Sequence, residues 1–322
     1  MKNVIGIGSA LVDILTRIDD DKILEEINIA KGSMHLVDEK SSLFIEDKLK
    51  KHESAMAPGG SAANTIHALA KLGIESGFIS YVGNDEIGKF FEDSMNSVGV
   101  KPLMFHSETA SGTARTIISA DGERTFATNL GASLELNEDV ITPDLFKGWE
   151  YCYVEGYLIA NKAVFTKTIY TAKECGCKII LDLASYNVVE DNRDFLNELL
   201  PQIDIIFANE EEAKALTLMN AEESLNYIAD TVDIAVVKIG KNGSLIKRSD
   251  EVVKIGCNKV DVVDTTGAGD MYAAGFLYGL INGHDLEKCG NIGNHLAESI
   301  IQVIGAKMDE NRWESFKKLA DI

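Results

Sequence analysis

Short apolar runs alternate with stretches of helical period through the second half of this chain, and nothing else in the sequence restricts its fold as much. Strands are expected at 151–155, 178–183, 204–208 and 233–238, with helices at 161–175, 192–200, 209–217 and 221–231. Strands that alternate with helices build βαβ units, and these produce a parallel sheet covered by helices on both faces. The N-terminal third begins in the same way. Val4 to Gly8 reads as a buried strand, Gly60 to Leu72 as a buried helix, Gly77 to Val82 as a strand and Asp85 to Val98 as an amphipathic helix. Helices near 269–282, 285–303 and 310–320 close the chain. The expectation is an α/β fold with a doubly wound, mainly parallel sheet.

Two regions break the alternation. Residues 14–56 mix a charged helical piece (Asp19 to Asn28), a short strand (Met34 to Val37) and a second charged helix (Glu39 to Lys51). Residues 103–130 alternate with period two around Asp121-Gly122, a hairpin signal. Neither region suits a doubly wound sheet, so both are expected in a small β-rich lid over one edge of it. With four prolines in the chain and no low-complexity linker, residues 1–322 are expected to form one domain with this lid.

Charge limits the partners. The chain carries 51 acidic and 31 basic residues, a formal net charge of −20. Such a surface repels nucleic acid and anionic lipid, so neither is expected as a partner. A phosphate-bearing ligand would need a local nest of N–H groups and a few cations. The five cysteines are odd in number and form no CxxC, which suits free thiols in a reducing, cytoplasmic setting. Cys175-Gly176-Cys177 has no third or fourth metal ligand nearby. The apolar start is interrupted at Asp13, no cleavage pattern follows, and no run of 18 apolar residues could span a membrane.

The chemistry concentrates in Asp264-Thr265-Thr266-Gly267-Ala268-Gly269-Asp270, which opens an apolar helix. Met271, Ala274, Leu277, Tyr278 and Ile281 are expected on its inward face. Small residues at 267–269 allow backbone N–H groups to converge at the positive end of a helix dipole, an anion site. Asp270 in the first turn would repel a bound phosphate unless a hydroxyl lay between them. It could then accept the proton of that hydroxyl during phosphoryl transfer. The alternative is that Asp270 merely satisfies the helix N-terminus. No G-x-x-x-x-G-K-[ST] loop and no G-x-S-x-G elbow occur, and Gly6-x-Gly8 lacks the third glycine of a dinucleotide fingerprint.

This segment resembles the C-terminal signature of the ribokinase-like (PfkB-type) carbohydrate kinases. Pro58-Gly59-Gly60-Ser61-Ala62-Ala63-Asn64 resembles their N-terminal signature. The resemblance implies an ATP-dependent kinase with Asp270 as base and the Gly267, Ala268 and Gly269 backbone as anion hole. It places Asp13, Gly59, Gly60 and Asn64 on the acceptor sugar, although Asn64 could be a helix cap. Asp13 is taken to end the first strand. Lys238-Ile239-Gly240-Lys241-Asn242-Gly243 resembles the nucleotide-binding turn, so Lys238, Gly240, Gly243, Thr265 and Asn209 are implied at ATP; a plain hairpin explains the same residues. Asn209 and Glu212, in Asn209-Glu210-Glu211-Glu212, would hold Mg²⁺ through water, or simply cap a helix. Asp264 and Thr266 would line a site for a monovalent cation such as K⁺. Relatives occur as monomers and as lid-paired homodimers, so either state is open.

Substrate choice rests on fewer positions. Leu11 stands two residues before Asp13, where ribokinases usually carry a polar Asn and adenosine kinases an aliphatic residue that packs on the base. The long insertion between Asp13 and Lys51, and Asp121-Gly122-Glu123-Arg124 followed by Asn129-Leu130-Gly131-Ala132, also resemble the adenosine kinase branch. A nucleoside acceptor, adenosine first, is therefore expected. A free sugar such as ribose, fructose or a keto-deoxy acid is the alternative. A non-catalytic ligand-binding relative and a dehydrogenase also stay open, the latter without a glycine fingerprint to support it.

Overall fold

The structure is a computed structural model and describes residues 2–322. In chain order the first half contains β1 (Asn3–Ile7), β2 (Leu11–Arg17), α1 (Lys22–Glu26), β3 (Met34–Leu36), α2 (Glu39–Leu49), β4 (Ser54–Gly59), α3 (Ser61–Lys71), β5 (Glu75–Gly83), α4 (Glu86–Ser97), β6 (Val100–Ser107), β7 (Gly112–Ile118) and β8 (Arg124–Asn129). The second half contains β9 (Tyr151–Glu155), α5 (Lys162–Glu174), β10 (Lys178–Asp182), α6 (Tyr186–Asp191), α7 (Arg193–Leu199), β11 (Ile205–Asn209), α8 (Glu210–Thr217), α9 (Ala221–Ala229), β12 (Ile234–Lys238), β13 (Ser244–Arg248), β14 (Glu251–Ile255), α10 (Ala268–Ile281), α11 (Leu286–Ile300) and α12 (Glu310–Ala320).

Nine strands form the main sheet, in the order β14-β13-β12-β11-β10-β9-β1-β5-β6. Seven of them, from β12 to β6, run parallel; β13 and β14 add an antiparallel edge. The parallel strands are apolar on both faces because both are covered. One core cluster joins them to α3, α10, α11 and α12, with Phe78, Phe207, Phe276, Trp313 and Phe316 at its centre. The other joins them to α5, α7, α8 and α9 through Phe146, Phe165, Ile179 and Ile206. The doubly wound α/β expectation is therefore met. Among the described residues no helix is long and apolar enough to cross a membrane.

The second sheet has the order β3-β8-β7-β2-β4. Its one face is closed by α1 and α2 through Ile18, Leu24, Ile27, Ile45, Ile117 and Ala127. Two expectations are corrected here. Residues 103–107 belong to β6, at the edge of the main sheet, because they pair in register with Ile79 to Gly83; the second sheet takes up that region only at Gly112. Asp13 does not end the first strand. The chain leaves the main sheet after Ile7 and enters the second sheet at Leu11, so Asp13 lies within β2, opposite Ala57 and Ala114. A chain that crosses from one sheet to the other over three residues reads in sequence as one continuous strand.

Candidate active site

Successive parallel strands end on polar residues at one edge of the main sheet. Glu155 ends β9, Asp182 ends β10, Asn209 ends β11 and Lys238 ends β12. Open α/β sheets bind ligands beyond these carboxyl ends, since the crevice between diverging helices opens there. A cavity of about 1400 Å³ lies at this edge, lined by Asp182, Asn209, Glu212, Lys238, the 240–243 turn, Cys257 to Val262, Thr265 and Gly267 to Asp270.

Helix starts decide where charge can be held. Among described helices of eight or more residues, α2, α4, α5, α8, α9, α11 and α12 each begin on an Asp or Asn side chain that accepts a backbone N–H. Only α3 and α10 begin on glycine, Gly60 and Gly267, with no side-chain cap. Both glycines have positive φ, 95° and 75°. At α10 the Ala268 N–H donates to the Thr265 carbonyl at 3.2 Å, so it is chiefly the Gly267 and Gly269 N–H groups, with those at the α3 start, that are left for other acceptors. At α3 one is used internally: Ala62 N–H donates to Glu155 Oε2 at 3.1 Å, and Ser9 N–H donates to Glu155 Oε1 at 3.4 Å. Burial pushes the Glu155 carboxyl up to about 7.

The two helix starts meet at Asp270. Its Oδ1 accepts from Ser61 Oγ at 2.7 Å and its Oδ2 from Asn64 Nδ2 at 2.9 Å. Burial pushes this carboxyl up to about 6; Asn64, Ser61 and Lys238 pull against it, and Asp182 adds to it. A carboxylate poised near neutrality and facing a cavity is what a general base requires. The buried face of α10 is wider than expected. Tyr272, Ala273, Gly275, Phe276 and Gly279 are buried as well as Met271, Ala274, Leu277 and Ile281, because α3 and α11 pack on its two sides, while Tyr278 is half-buried.

On the acceptor side, the Gly59-Gly60 pair is set by close approach. A Cβ on Gly59 would lie 2.3 Å from Asp13 Oδ1, and one on Gly60 would lie 2.2 Å from the Ser9 carbonyl oxygen. Burial pushes Asp13 up to about 6, opposed by Lys307 and reinforced by Asp270. Leu11 packs beside Gly112, where a Cβ would stand 2.4 Å from Leu11 Cδ2. Asp13, Leu11, Gly59, Gly60 and Asn64 are thus brought together at the junction of the second sheet with α3.

The nucleotide-side residues gather in the cavity. Lys238 Nζ lies 3.3 Å from Asp182 Oδ2. Burial works against its charge, but Asp182, Glu212 and Asp270 hold its pKa above the ordinary lysine value. The 238–243 segment is a hairpin, since β12 and β13 pair antiparallel, and its turn also lines the cavity. The segment is thus a hairpin, and its turn lies where a ligand in the cavity would meet it. Asn209 and Glu212 close a capping box on α8: Asn209 Oδ1 accepts from Glu211 N and Glu212 N, both at 2.9 Å, while Glu212 accepts from Asn209 N at 2.8 Å and Nδ2 at 2.6 Å. Burial pushes Glu212 upward. Their oxygens suit a hard cation approached through water, and the cap leaves Glu212 lone pairs for such waters.

Asp264 behaves differently. Its Oδ1 accepts from Thr266 N at 3.0 Å and Thr266 Oγ1 at 2.8 Å; its Oδ2 accepts from Gly305 N at 2.6 Å and pairs with Arg124 of β8. Burial would raise this carboxyl, but Arg124 and the Thr266 and Gly305 donors hold it below the usual range. Those four donors fill the four lone-pair positions of a carboxylate. The Asp264 carboxylate therefore has no lone pair left for a further cation, and the positive charge it meets is the Arg124 guanidinium.

Sequence reasoning did not assign Ser61, Arg124, Glu155, Asp182 or Lys307 to the site. The strand-end rule would have found Glu155 and Asp182. Ser61 and Arg124 lay inside segments already singled out, and Lys307 carried no signal.

The profile of the pfkB family of carbohydrate kinases matches residues 28–312. An uncharacterized sugar kinase of Archaeoglobus fulgidus is 28% identical over 241 residues, 74% of this chain and 96% of its own length. A 5-dehydro-2-deoxygluconokinase of Bacillus subtilis is 28% identical over 260 residues, 76% of this chain and 80% of its own. The crystal structure of adenosine kinase from Sinorhizobium meliloti superposes with a TM-score of 0.86 at 31% identity, covering 99% of each chain. Two uncapped glycine-started helices converging on one carboxylate, at the carboxyl edge of a doubly wound sheet, agree with this match along the chain: the protein belongs to the pfkB family of carbohydrate kinases.

Proposed function

We propose that this kinase transfers the γ-phosphoryl group of ATP to the 5′-hydroxymethyl of a nucleoside, adenosine first among them, giving AMP and ADP. The observation that carries the acceptor class is the free face of the second sheet. Directly paired residues share a face. From the register, Leu15, Thr116, Phe126 and Met34 make one row on the face that bears Asp13, and Ala57, Asp13, Ala114, Thr128 and Leu36 make the next. Met34 and Leu36 are 67% and 70% exposed there. A free sugar has little use for such a surface, whereas a purine ring has. Exposed Tyr157 lies near Glu155 and Asp270 and offers a further aromatic face.

In this reading Asp13 and the Gly59-Gly60 backbone orient the ribose hydroxyls, which brings the 5′-hydroxyl to Asp270. Asp270 accepts its proton as the oxygen–phosphorus bond forms and the bond to ADP breaks. The N–H groups of Gly267 and Gly269 would face the charge on the transferring group. Mg²⁺, held through water near Asn209 and Glu212, would supply charge neutralisation on the ATP phosphates.

A second reading, a sugar such as 2-keto-3-deoxygluconate, ribose or fructose as acceptor, draws support from the sugar kinase relatives at 28% identity. ADP release measured on a panel of nucleosides and sugars decides between them. Adenosine is expected to exceed ribose by far. Leu11→Asn is expected to weaken adenosine use by about 1–3 kcal/mol, the scale of one apolar pocket contact. Preference of the wild type for ribose would overturn the nucleoside assignment.

A further inference from the structure

Lys307 follows α11, in the loop whose Ala306 packs on Gly267; a Cβ added to Gly267 would lie 2.8 Å from Ala306 Cβ. That packing carries Lys307 to the acceptor side of Asp270. Its Nζ donates to Asn64 Oδ1 at 2.9 Å, while the same amide donates through Nδ2 to Asp270 Oδ2 at 2.9 Å. Among the described residues no carboxylate oxygen lies within ion-pair distance of Nζ. We propose that Lys307 is a positioning residue for phosphoryl transfer: through Asn64 it locks the amide that faces the base and keeps Asp270 in its ionised, proton-accepting form. The proposal rests on the assignment of Asp270 as base.

The chemistry of the three groups is directional. An ammonium only donates, so the amide atom facing it must be oxygen. The other end of the amide must then be NH₂, which suits an ionised carboxylate and not a protonated one presenting its O–H. Without Lys307 the amide could turn its oxygen toward Asp270, and that arrangement would favour the neutral acid. The wider surroundings make this matter. Asp13 from β2 and Asp270 from α10 both face Lys307, and burial pushes each of them up to about 6. From α3 it is faced by His67, which burial holds neutral with its pKa pulled down to about 2; the next cation on that helix, Lys71, is paired with Glu310. Burial pulls Lys307 itself down to about 8, against the two carboxylates that raise it. Deprotonation would remove one of its donor protons and its charge together.

The test is kcat/KM for the acceptor against pH. Wild type should show an acid limb near pH 6. Lys307→Met should move the acid limb up by about one pH unit, a tenfold change in proton affinity at the base. Lys307→Arg, which keeps a charged donor beside Asn64, should leave the acid limb in place. The KM for ATP should be unchanged in both. If Lys307→Met is too slow to assay, the ¹³C carboxyl titration of Asp270 in that variant gives the same answer without turnover. An acid limb, or a ¹³C titration, left at its wild-type position in Lys307→Met overturns the relay. With Asp270→Asn inactive, that result sinks the relay alone. Near-normal turnover of Asp270→Asn removes the base assignment and the relay with it.

Discussion

As the proposed base, Asp270 would serve function at the expense of the fold. Its carboxyl is raised from 3.8 to about 6 by burial. Between those values the folded chain holds a proton that the unfolded chain has released. Folding stability contributed by this group is therefore lost as pH rises through that window, and the full cost is present at pH 7. In the proposed mechanism the active form is the ionised one, so activity should rise over the same window in which stability falls. Asp270→Asn keeps the shape and removes the charge. We expect kcat to fall by about a hundredfold or more with little change in ATP affinity. We also expect the melting temperature at pH 7 to rise by a few degrees and the gain to shrink at pH 4. Steady-state kinetics and thermal melts at the two pH values check both parts. A variant that melts lower at pH 7 would show that Ser61 and Asn64 hold the charge better than burial penalises it.

At the scale of elements, the β12–β13 hairpin would tie the proposed nucleotide site to backbone geometry. Gly243 has φ 95° and ψ −127°, a region open to glycine only. A Cβ there would lie 1.8 Å from the Ile255 carbonyl oxygen, where β14 ends. Gly243→Ala should therefore cost about 1–3 kcal/mol in backbone strain alone and open the turn. We expect a higher KM for ATP with the KM for the acceptor unchanged, since Asp13 and Gly59 lie on a different sheet. Equal changes in both constants would mean that the turn supports the whole cleft and not the nucleotide half. Gly269 is constrained in a related way, because a Cβ would come within 3.1 Å of Lys238 Nζ. There the neighbour is the end of a flexible side chain, so a substitution is expected to disturb Lys238 more than the helix.

At the scale of the whole molecule, the Arg124–Asp264 pair joins the second sheet to the loop that precedes α10. Both partners are mostly buried, 17% and 5% exposed at the side chain. Removing Arg124 would leave Asp264 short of its charged partner. Phosphoryl transfer also needs water kept from the anion hole, and a sheet that closes over a bound acceptor would exclude it. Acceptor binding should then protect backbone amides in 33–38 and 113–128 from hydrogen exchange, while ATP alone protects mainly 238–243 and 265–270. In Arg124→Ala the acceptor-induced protection of the second sheet should weaken. If the acceptor leaves both segments exchanging at their unliganded rates, the second sheet is not a moving cover.

The edge strands β6, β13 and β14 could not be read from the sequence, being partly exposed. The central parallel strands β1, β5 and β9 to β12 could be, because they are buried on both faces and the helices between them repeat every 3.6 residues. Local physics and the global fold agree there. The glycine signatures were legible for a similar reason. Gly59, Gly60, Gly267 and Gly243 sit where a Cβ meets backbone or carboxylate atoms or where φ is positive, so the residue type itself records the constraint. The placement of Asp13 was not legible, because the change of sheet between Ile7 and Leu11 leaves no break in the apolar pattern. Asn209 and Glu212 carried two readings at once, since a capping box and an acidic lining use the same residues. What tertiary structure alone decided is which distant groups share an oxygen. Ser61 and Asn64 meet Asp270 across more than two hundred residues, Lys307 meets Asn64 across 243, and Arg124 takes the position beside Asp264. Those contacts depend on how α3, α10 and the second sheet are docked. No local pattern encodes that docking, because each side chain alone is an ordinary polar residue until packing withholds water from it.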